Sequence, residues 1–459
     1  MDNLKSGVTV MVVSVRIAAL VALILILAAA GVGAQFVARD PGLRGGAAGA
    51  GDPLPGLTPA QRAFFDAGSE EFEEADLLDE GLGPRFNLDS CVGCHSQPAV
   101  GGTSPAVNPQ VAVATAFGAR NTVPSFITLH GPVREARFKR HADGTPDGGV
   151  HALFVISGRN DGSADASGCT IRQPNFEGQL ADGNVVFRIP TPMFGAGLIE
   201  QLRDTAIVAN GNANALTKAA LGIFGRANTN GNDGTITRFG WKAQNKSLLL
   251  FAGEAYNVEM GITNELFQTE RDETPGCQLV TTPNNITDTE GTTGLETLSA
   301  IEKFAFFMRF LAPPRPSASL PGGEASIGRG RTAFGAIGCA LCHTPALQTR
   351  ASSVAALSDK PVRLFSDLLL HNMGPGLADD VSQGGADGDE FRTAPLWGLG
   401  KRIFFLHDGR TTDLLVAIRA HKSAGNVQYR RSEANLVVDQ FNALPEAAKQ
   451  DLLNFLRSL

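Results

Sequence analysis

Cys91-Val92-Gly93-Cys94-His95 and Cys339-Ala340-Leu341-Cys342-His343 are two copies of one pattern, Cys-x-x-Cys-His, and their reading decides the fold. The pattern is the attachment sequence of a c-type haem. Its two thiols add across the haem vinyl groups, and the histidine directly after them can turn onto the iron as proximal ligand. A bare Cys-x-x-Cys would also suit a zinc knuckle or a thioredoxin-like dithiol. The trailing histidine in both copies, on a chain that begins with an export signal, selects haem. Two covalently bound haem c groups are therefore expected, on Cys91, Cys94 and His95 and on Cys339, Cys342 and His343.

The export signal lies in residues 1–34. Lys5 and Arg16 precede an apolar run that ends in small residues, and Val32 and Ala34 suit a signal-peptidase cut after Ala34. Left uncut, residues 8–34 could cross a bilayer and attach the protein to a membrane. Either way the body is expected in the periplasm, where haem c is attached and disulfides persist. Cys169 and Cys277 are the cysteines left over from the haem motifs, an even remainder that suggests one disulfide.

With 459 residues, 43% hydrophobic and 19% charged, the chain is ordinary globular material. Its net charge of −7 argues against nucleic acid as a partner. Residues 35–57 read as a Gly/Ala/Pro linker. Thr58 then looks like an N-cap with Pro59 at the first helical position and Gln61 closing a capping box. Short strand-like runs and Gly/Asn/Asp turns fill 101–275. Residues 298–311 form a strongly amphipathic helix, ended by Pro313-Pro314-Arg315-Pro316. Arg188-Ile189-Pro190-Thr191-Pro192-Met193-Phe194-Gly195-Ala196-Gly197 is echoed by Arg392-Thr393-Ala394-Pro395-Leu396-Trp397-Gly398-Leu399-Gly400. The expected fold is mainly α: two cytochrome c-like domains at 58–312 and 326–459, joined by a linker at 313–325, the first swollen by a loop- and short-strand-rich insertion.

A six-coordinate haem needs a second axial ligand, and the second half offers His371, Met373, His407 and His421. Leu414, Ala417, Ile418 and His421 share one helical face, which favours His421 over a histidine merely bonded to a carbonyl in the core. Met373 is the alternative ligand. The choice matters because Met/His ligation raises the potential relative to bis-His. In the first half, His130, His141 and His151 sit in turn-rich sequence, so the His95 iron is expected to be open. An open iron suits peroxide chemistry, which also needs an acid/base. Glu254 and Glu259, in Phe251-Ala252-Gly253-Glu254-Ala255-Tyr256-Asn257-Val258-Glu259-Met260-Gly261, could supply it or could be solvated helix charges. Trp241 could relay electrons between haems or simply fill a core. The 228–234 loop lacks the acidic twelfth residue of a calcium loop, so it reads as a turn and calcium has no support.

On these residues the chain resembles the di-haem oxidoreductase family, often labelled thiol oxidoreductases. Its relatives are the bacterial di-haem cytochrome c peroxidases and the methylamine-utilisation di-haem enzyme. The resemblance spans 58–459 and is carried by Gly81-Leu82-Gly83-Pro84-Arg85-Phe86-Asn87, Arg238-Phe239-Gly240-Trp241-Lys242-Ala243, the 251–261 stretch, Asp367 through Leu377, and Leu406-His407-Asp408-Gly409-Arg410. It implies that Glu259 is the distal-pocket glutamate, that Trp241 stands between the haems, and that His421 replaces the methionine ligand of the electron-transfer haem. It further implies a peroxidase-like activity on hydrogen peroxide or a small organic substrate, with a small cytochrome or cupredoxin as electron donor. Two departures stand out: histidine replaces that methionine, and Leu249 or Phe251 replaces the glutamine accompanying the glutamate. The rival expectations are a non-enzymatic electron-transfer cytochrome, and an oxygenase-like enzyme acting on an organic or protein substrate.

Overall fold

Thr58 begins the first helix as its side chain suggests: Thr58 Oγ1 accepts from Gln61 N (3.3 Å) and Gln61 Oε1 accepts from Thr58 N (3.0 Å). In this computed structural model, which describes residues 36–459, the helix runs Pro59–Glu73. The signal peptide or anchor expected in 1–34 lies outside the described residues. Phe65 and Phe72 face inward and meet Phe307 at ring-centroid distances of 5.4 and 4.9 Å. Phe307 belongs to the helix Ala300–Phe310, opened by a second capping box of Ser299 and Glu302. The two helices cross at Gly68, where a Cβ would lie 2.3 Å from the Lys303 carbonyl oxygen.

The second half repeats this arrangement. Helix Gly323–Ala336 packs on the terminal helix Glu446–Ser458, and a Cβ on Gly330 would lie 2.0 Å from the Asp451 carbonyl oxygen. Four residues after each crossing glycine stands a phenylalanine against the proximal histidine: Phe72 lies 6.0 Å from His95 and Phe334 6.4 Å from His343. This Gly-x-x-x-Phe echo is a sequence repeat that the reading above did not use. The first helix of this pair starts at Gly323, inside the stretch expected as linker, because Gly322 caps it in the left-handed region (φ 70°).

The echo around Arg188 and Arg392 is structural as well. Each arginine ends a strand, Val185–Arg188 and Glu390–Arg392. Each is followed by a left-handed glycine, Gly195 (φ 69°) or Gly398 (φ 74°), that caps a short helical segment. Gly197 then lies against the Arg309 carbonyl and Gly400 against that of Arg457, so both echoes dock on the helix pair of their own half.

The 101–275 region holds the expected short strands, with Glu135–Phe138 between Val150–His151 and Val185–Arg188 in one antiparallel sheet. It also holds more helix than expected: Asp204–Asn212, Ala215–Leu221 and Leu248–Met260. The first two escaped the reading because Asn210, Gly211, Asn212 and Asn214 look like turn residues. Only Ile207 of the first is buried among them, and left-handed Asn214 (φ 57°) separates the pair. Cys169 and Cys277 are joined in a disulfide that ties the middle of the insertion to the segment just past its end (Cα–Cα 4.6 Å). Residues 228–234 form a turn closed by the Thr229–Ile236 bridge, with the Asp233 carboxylate taken by Thr235 and Lys246. Regular structure is mostly helical with short strands, and Arg39–Leu459 forms one compact unit.

Candidate functional site

Each Cys-x-x-Cys-His motif opens onto its own cavity. In the second half, Cys339, Cys342 and His343 line an apolar cavity with Phe334, Leu414 and Leu456, and His421 and Met373 line it too. His343 Nδ1 lies 3.0 Å from the Phe365 carbonyl oxygen, and His421 Nδ1 lies 2.8 Å from that of Ala417. A carbonyl only accepts, so both rings carry hydrogen on Nδ1 and keep the Nε2 lone pair. Burial pushes the imidazolium of His343 down to about 4 and that of His421 below its usual range, so both rings are neutral. A neutral ring with Nδ1–H anchored to a carbonyl is the form that ligates a metal.

His371, a ligand candidate from the sequence, is engaged elsewhere. Its Nε2 meets Asp367 at 3.0 Å and its Nδ1 meets Glu433 at 2.8 Å. Burial opposes charge on this ring, but the Asp367 carboxylate holds it protonated above the usual range. Cys342, Asp367 and His371 also lie close enough together to hold a metal ion, but a thiol linked to haem is not a free thiolate. His407 is buried, stacked on Phe391 at 4.3 Å and edge-on to Trp241 at 6.4 Å.

Arg392 and Arg402 give an independent test of what the cavity holds. Both line it, both are buried, and neither pairs with a carboxylate among the described residues. Burial pushes both down to about 10, and Arg402 depresses Arg392 further by like charge. Two neighbouring buried cations call for an anion. A haem offers two propionates at one edge of an apolar ring, so the donor set fits it.

The N-terminal cavity is lined by Cys91, Cys94 and His95. His95 Nδ1 lies 2.9 Å from the Gly102 carbonyl oxygen, and burial pushes its imidazolium down to about 4. His95 is the one histidine lining this cavity among the described residues. His141 and His151 instead meet Asp147 at 3.4 and 2.8 Å. Helix Leu248–Met260 delivers Glu259 into the cavity, where Asn87 Nδ2 donates to its Oε2 (2.7 Å). Desolvation in the cavity wall, then the nearby Glu135 carboxylate, hold the Glu259 carboxyl well above the usual range, so it is a protonated, half-buried acid rather than a solvated helix charge. Glu254 also lines the cavity and accepts a hydrogen bond from Asn245.

Phe251 lines this cavity as an apolar wall. The polarity expected to be missing there is supplied by residues the sequence reading passed over: Glu135, Arg137, Arg188 and Arg271. Arg134-Glu135-Ala136-Arg137 carried the signal, since a strand's period of two puts Glu135 and Arg137 on one face. Their salt bridge is 2.6 Å long.

Trp241 lines both cavities. Its Nε1 donates to the Ile189 carbonyl (2.8 Å), and its own carbonyl accepts from Arg392 N (2.9 Å). The next residue, Lys242, is wholly buried. Its ammonium meets the carbonyls of Asp387 (2.7 Å) and Glu390 (3.0 Å) and the Asp379 carboxylate (3.1 Å), over the Phe391 ring. Burial lowers it to about 8, which leaves it charged at neutral pH.

A family model described as "Di-haem oxidoreductase, putative peroxidase" matches residues 136–459. Among solved structures, a MauG-like protein associated with microbial copper homeostasis is 18% identical, with a TM-score of 0.30, over 59% of this chain and 90% of that one. Hydrazine synthase from Kuenenia stuttgartiensis is 16% identical, with a TM-score of 0.23, over 36% of this chain. The match spans 56% of the hydrazine synthase chain, a little over half its length. No curated protein matches the chain.

Proposed function

The chain belongs to the di-haem oxidoreductase family, and on that premise we propose that it is an exported, peroxidase-like enzyme carrying two haem c groups. Thioether bonds from Cys91 and Cys94 hold one haem and those from Cys339 and Cys342 the other. Each haem supplies a redox-active iron. In the C-terminal cavity His343 and His421, both lining it with Nε2 uncommitted, would ligate the iron of an electron-entry haem, with Met373 as the alternative to His421. Arg392 and Arg402 neutralise the propionates. Trp241, in the wall common to both cavities, bridges the path to the N-terminal site. There His95 would be the proximal ligand, and Glu259, lining the same cavity, would hold a proton for peroxide activation.

The observation that carries this reading is the asymmetry between the cavities. One offers a second neutral histidine with a free Nε2, and the other offers a half-buried carboxylic acid in place of a second histidine. Such an acid can move a proton between peroxide oxygens. Export follows the 1–34 segment, and a small cytochrome or cupredoxin in the periplasm is the electron donor. The division of the chain into two haem-bearing halves is placed within 311–322, between the two helix pairs.

The first test is low-temperature EPR of the oxidised, haem-loaded protein. One high-spin and one low-spin ferric signal are expected, followed by hydrogen peroxide consumption that Glu259→Gln abolishes. The rival electron-carrier reading rests on Met193 and Met308, thioethers that line the N-terminal cavity and could close that iron. Two low-spin signals persisting in the half-reduced protein, with no peroxide turnover, would establish it instead. Retention of two haems after denaturation, read by mass, tests the covalent attachment.

A further inference from the structure

One wall of the N-terminal cavity comes from the insertion, and it brings a second carboxyl to the first. Strand Glu135–Phe138 presents Glu135 and Arg137 to the cavity that Glu259 also lines, and the two carboxyls there act on each other by charge and by a side-chain hydrogen bond that shifts their protonation in opposite directions. Carboxylate oxygens only accept, so two carboxyls can bond only through a proton that one of them carries. Arg137 Nε donates to Glu135 (2.6 Å) and Asn87 Nδ2 to Glu259 (2.7 Å), an arrangement that places the charge on Glu135 and the proton on Glu259.

We propose that Glu135 and Glu259 form a singly protonated dyad, in which Glu135 is a second acid–base group of the N-terminal site contributed by the insertion. The proposal deepens the peroxidase reading and rests on it for its substrate. A lone carboxyl must collect a proton from one peroxide oxygen before handing it to the other. A dyad holds the acid and the base at once. The O–O bond breaks with its electron pair on the leaving oxygen, which takes the dyad's proton and departs as water. The proton of the other oxygen passes to the dyad's carboxylate, so the dyad ends with the proton count and charge it began with. Two electrons from the donor protein and two protons complete the reduction of peroxide to two waters.

The surroundings favour a net charge of −1 on the pair. Arg137 belongs to the Glu135 strand, Arg188 to the adjacent strand, and Arg271 follows the Glu259 helix, while Glu254 is the further carboxyl on that helix and Cys91 and Cys94 are the nearest motif residues. Burial opposes the Glu135 charge, and Arg137, the bond with Glu259 and Arg188 together outweigh it.

The test is infrared spectroscopy of the resting, haem-loaded protein, following the C=O stretch of a protonated carboxyl through a pH titration. Wild type should show such a band persisting above the pH at which Asp76 has titrated, and E259Q should lack that persistent component. E135Q removes the neighbouring negative charge, so Glu259 should release its proton at lower pH, while E135D should behave as wild type. In peroxide assays E135Q should fall by about 10²-fold, with the alkaline limb of its pH profile moved down in pH. A wild-type protein without the band, or an E135Q titration that overlays wild type, overturns the dyad. If the band titrates as expected but wild type consumes no peroxide, the dyad stands and the peroxidase reading falls.

Discussion

His95, His343 and His421 each commit Nδ1–H to a main-chain carbonyl, and that one hydrogen bond decides what the ring can do. It fixes the tautomer and aims Nε2 into a cavity, whereas His371, with a carboxylate at each nitrogen, has nothing left to offer a metal. His421→Met is therefore expected to raise the midpoint potential of the C-terminal haem, because thioether ligation favours the reduced iron relative to a second imidazole. His371→Asn should leave that haem low-spin. Potentiometric titration of the two variants checks both statements. A second residue-scale prediction concerns Asp76, whose carboxyl hydrogen-bonds the Tyr256 hydroxyl (2.8 Å) under the N-terminal cavity. Burial raises it from 3.8 to about 7. Between those two values the folded protein keeps a proton that the unfolded chain releases, so this residue's contribution to stability falls as pH rises through the window and is level above it. The effect is on the order of a few kcal/mol. Asp76→Asn should remove that slope, measured as the difference in urea midpoint between variant and wild type at about pH 5 and about pH 7.5.

At the scale of elements, the paired helices beside each proximal histidine depend on one glycine apiece. A Cβ at Gly330 would collide with the Asp451 carbonyl, whereas one at Gly328, two residues away on the same helix, meets nothing within 4 Å. Gly330→Ala is thus expected to force the helices apart and cost about 1–3 kcal/mol. Gly328→Ala should stabilise the helix by about 0.5–1 kcal/mol through reduced chain entropy. Thermal melts of the haem-loaded variants should move in opposite directions. The first pair was legible in the sequence because its signals are local: Thr58 with Gln61 at one start, and an apolar face along the 300–310 helix; the Gly323–Ala336 helix, whose start falls in the stretch expected as linker, was not. The His421 helix was legible for the same reason, since His421 follows it on a face shared with Leu414 and Ala417. The Glu135 strand was not, because four residues carry too little periodicity. Its meaning also comes from Glu259, more than a hundred residues on. Arg392 and Arg402 were equally silent, since a lone arginine in sequence says nothing of whether an acid will meet it once buried.

For the molecule as a whole, the question is what holds two cavities in fixed relation to one indole. Trp241 is tied to the first half through Ile189 and to the second through Arg392, but neither bond alone resists sliding of one half against the other. Lys242 supplies the resistance. Its ammonium reaches from the Trp241 segment into the 379–390 loop, where it donates to the Asp387 and Glu390 carbonyls and shares the Asp379 carboxylate with Arg188. Arg188 also pairs with Asp379 (2.7 Å), so removing the lysine would not leave that carboxylate wholly uncompensated. Lys242→Met should therefore destabilise the protein by about 3 kcal/mol, the lower end of the cost of breaking a buried ion pair. Lys246→Met, which breaks the exposed pair with Asp233 four residues away, should cost less than about 1 kcal/mol. Urea titration of both variants measures the contrast. If Lys242 also sets the indole between the haems, redistribution of an electron in the half-reduced protein should slow in Lys242→Met and stay unchanged in Lys246→Met. A purely structural lysine would lower the urea midpoint and leave that rate alone.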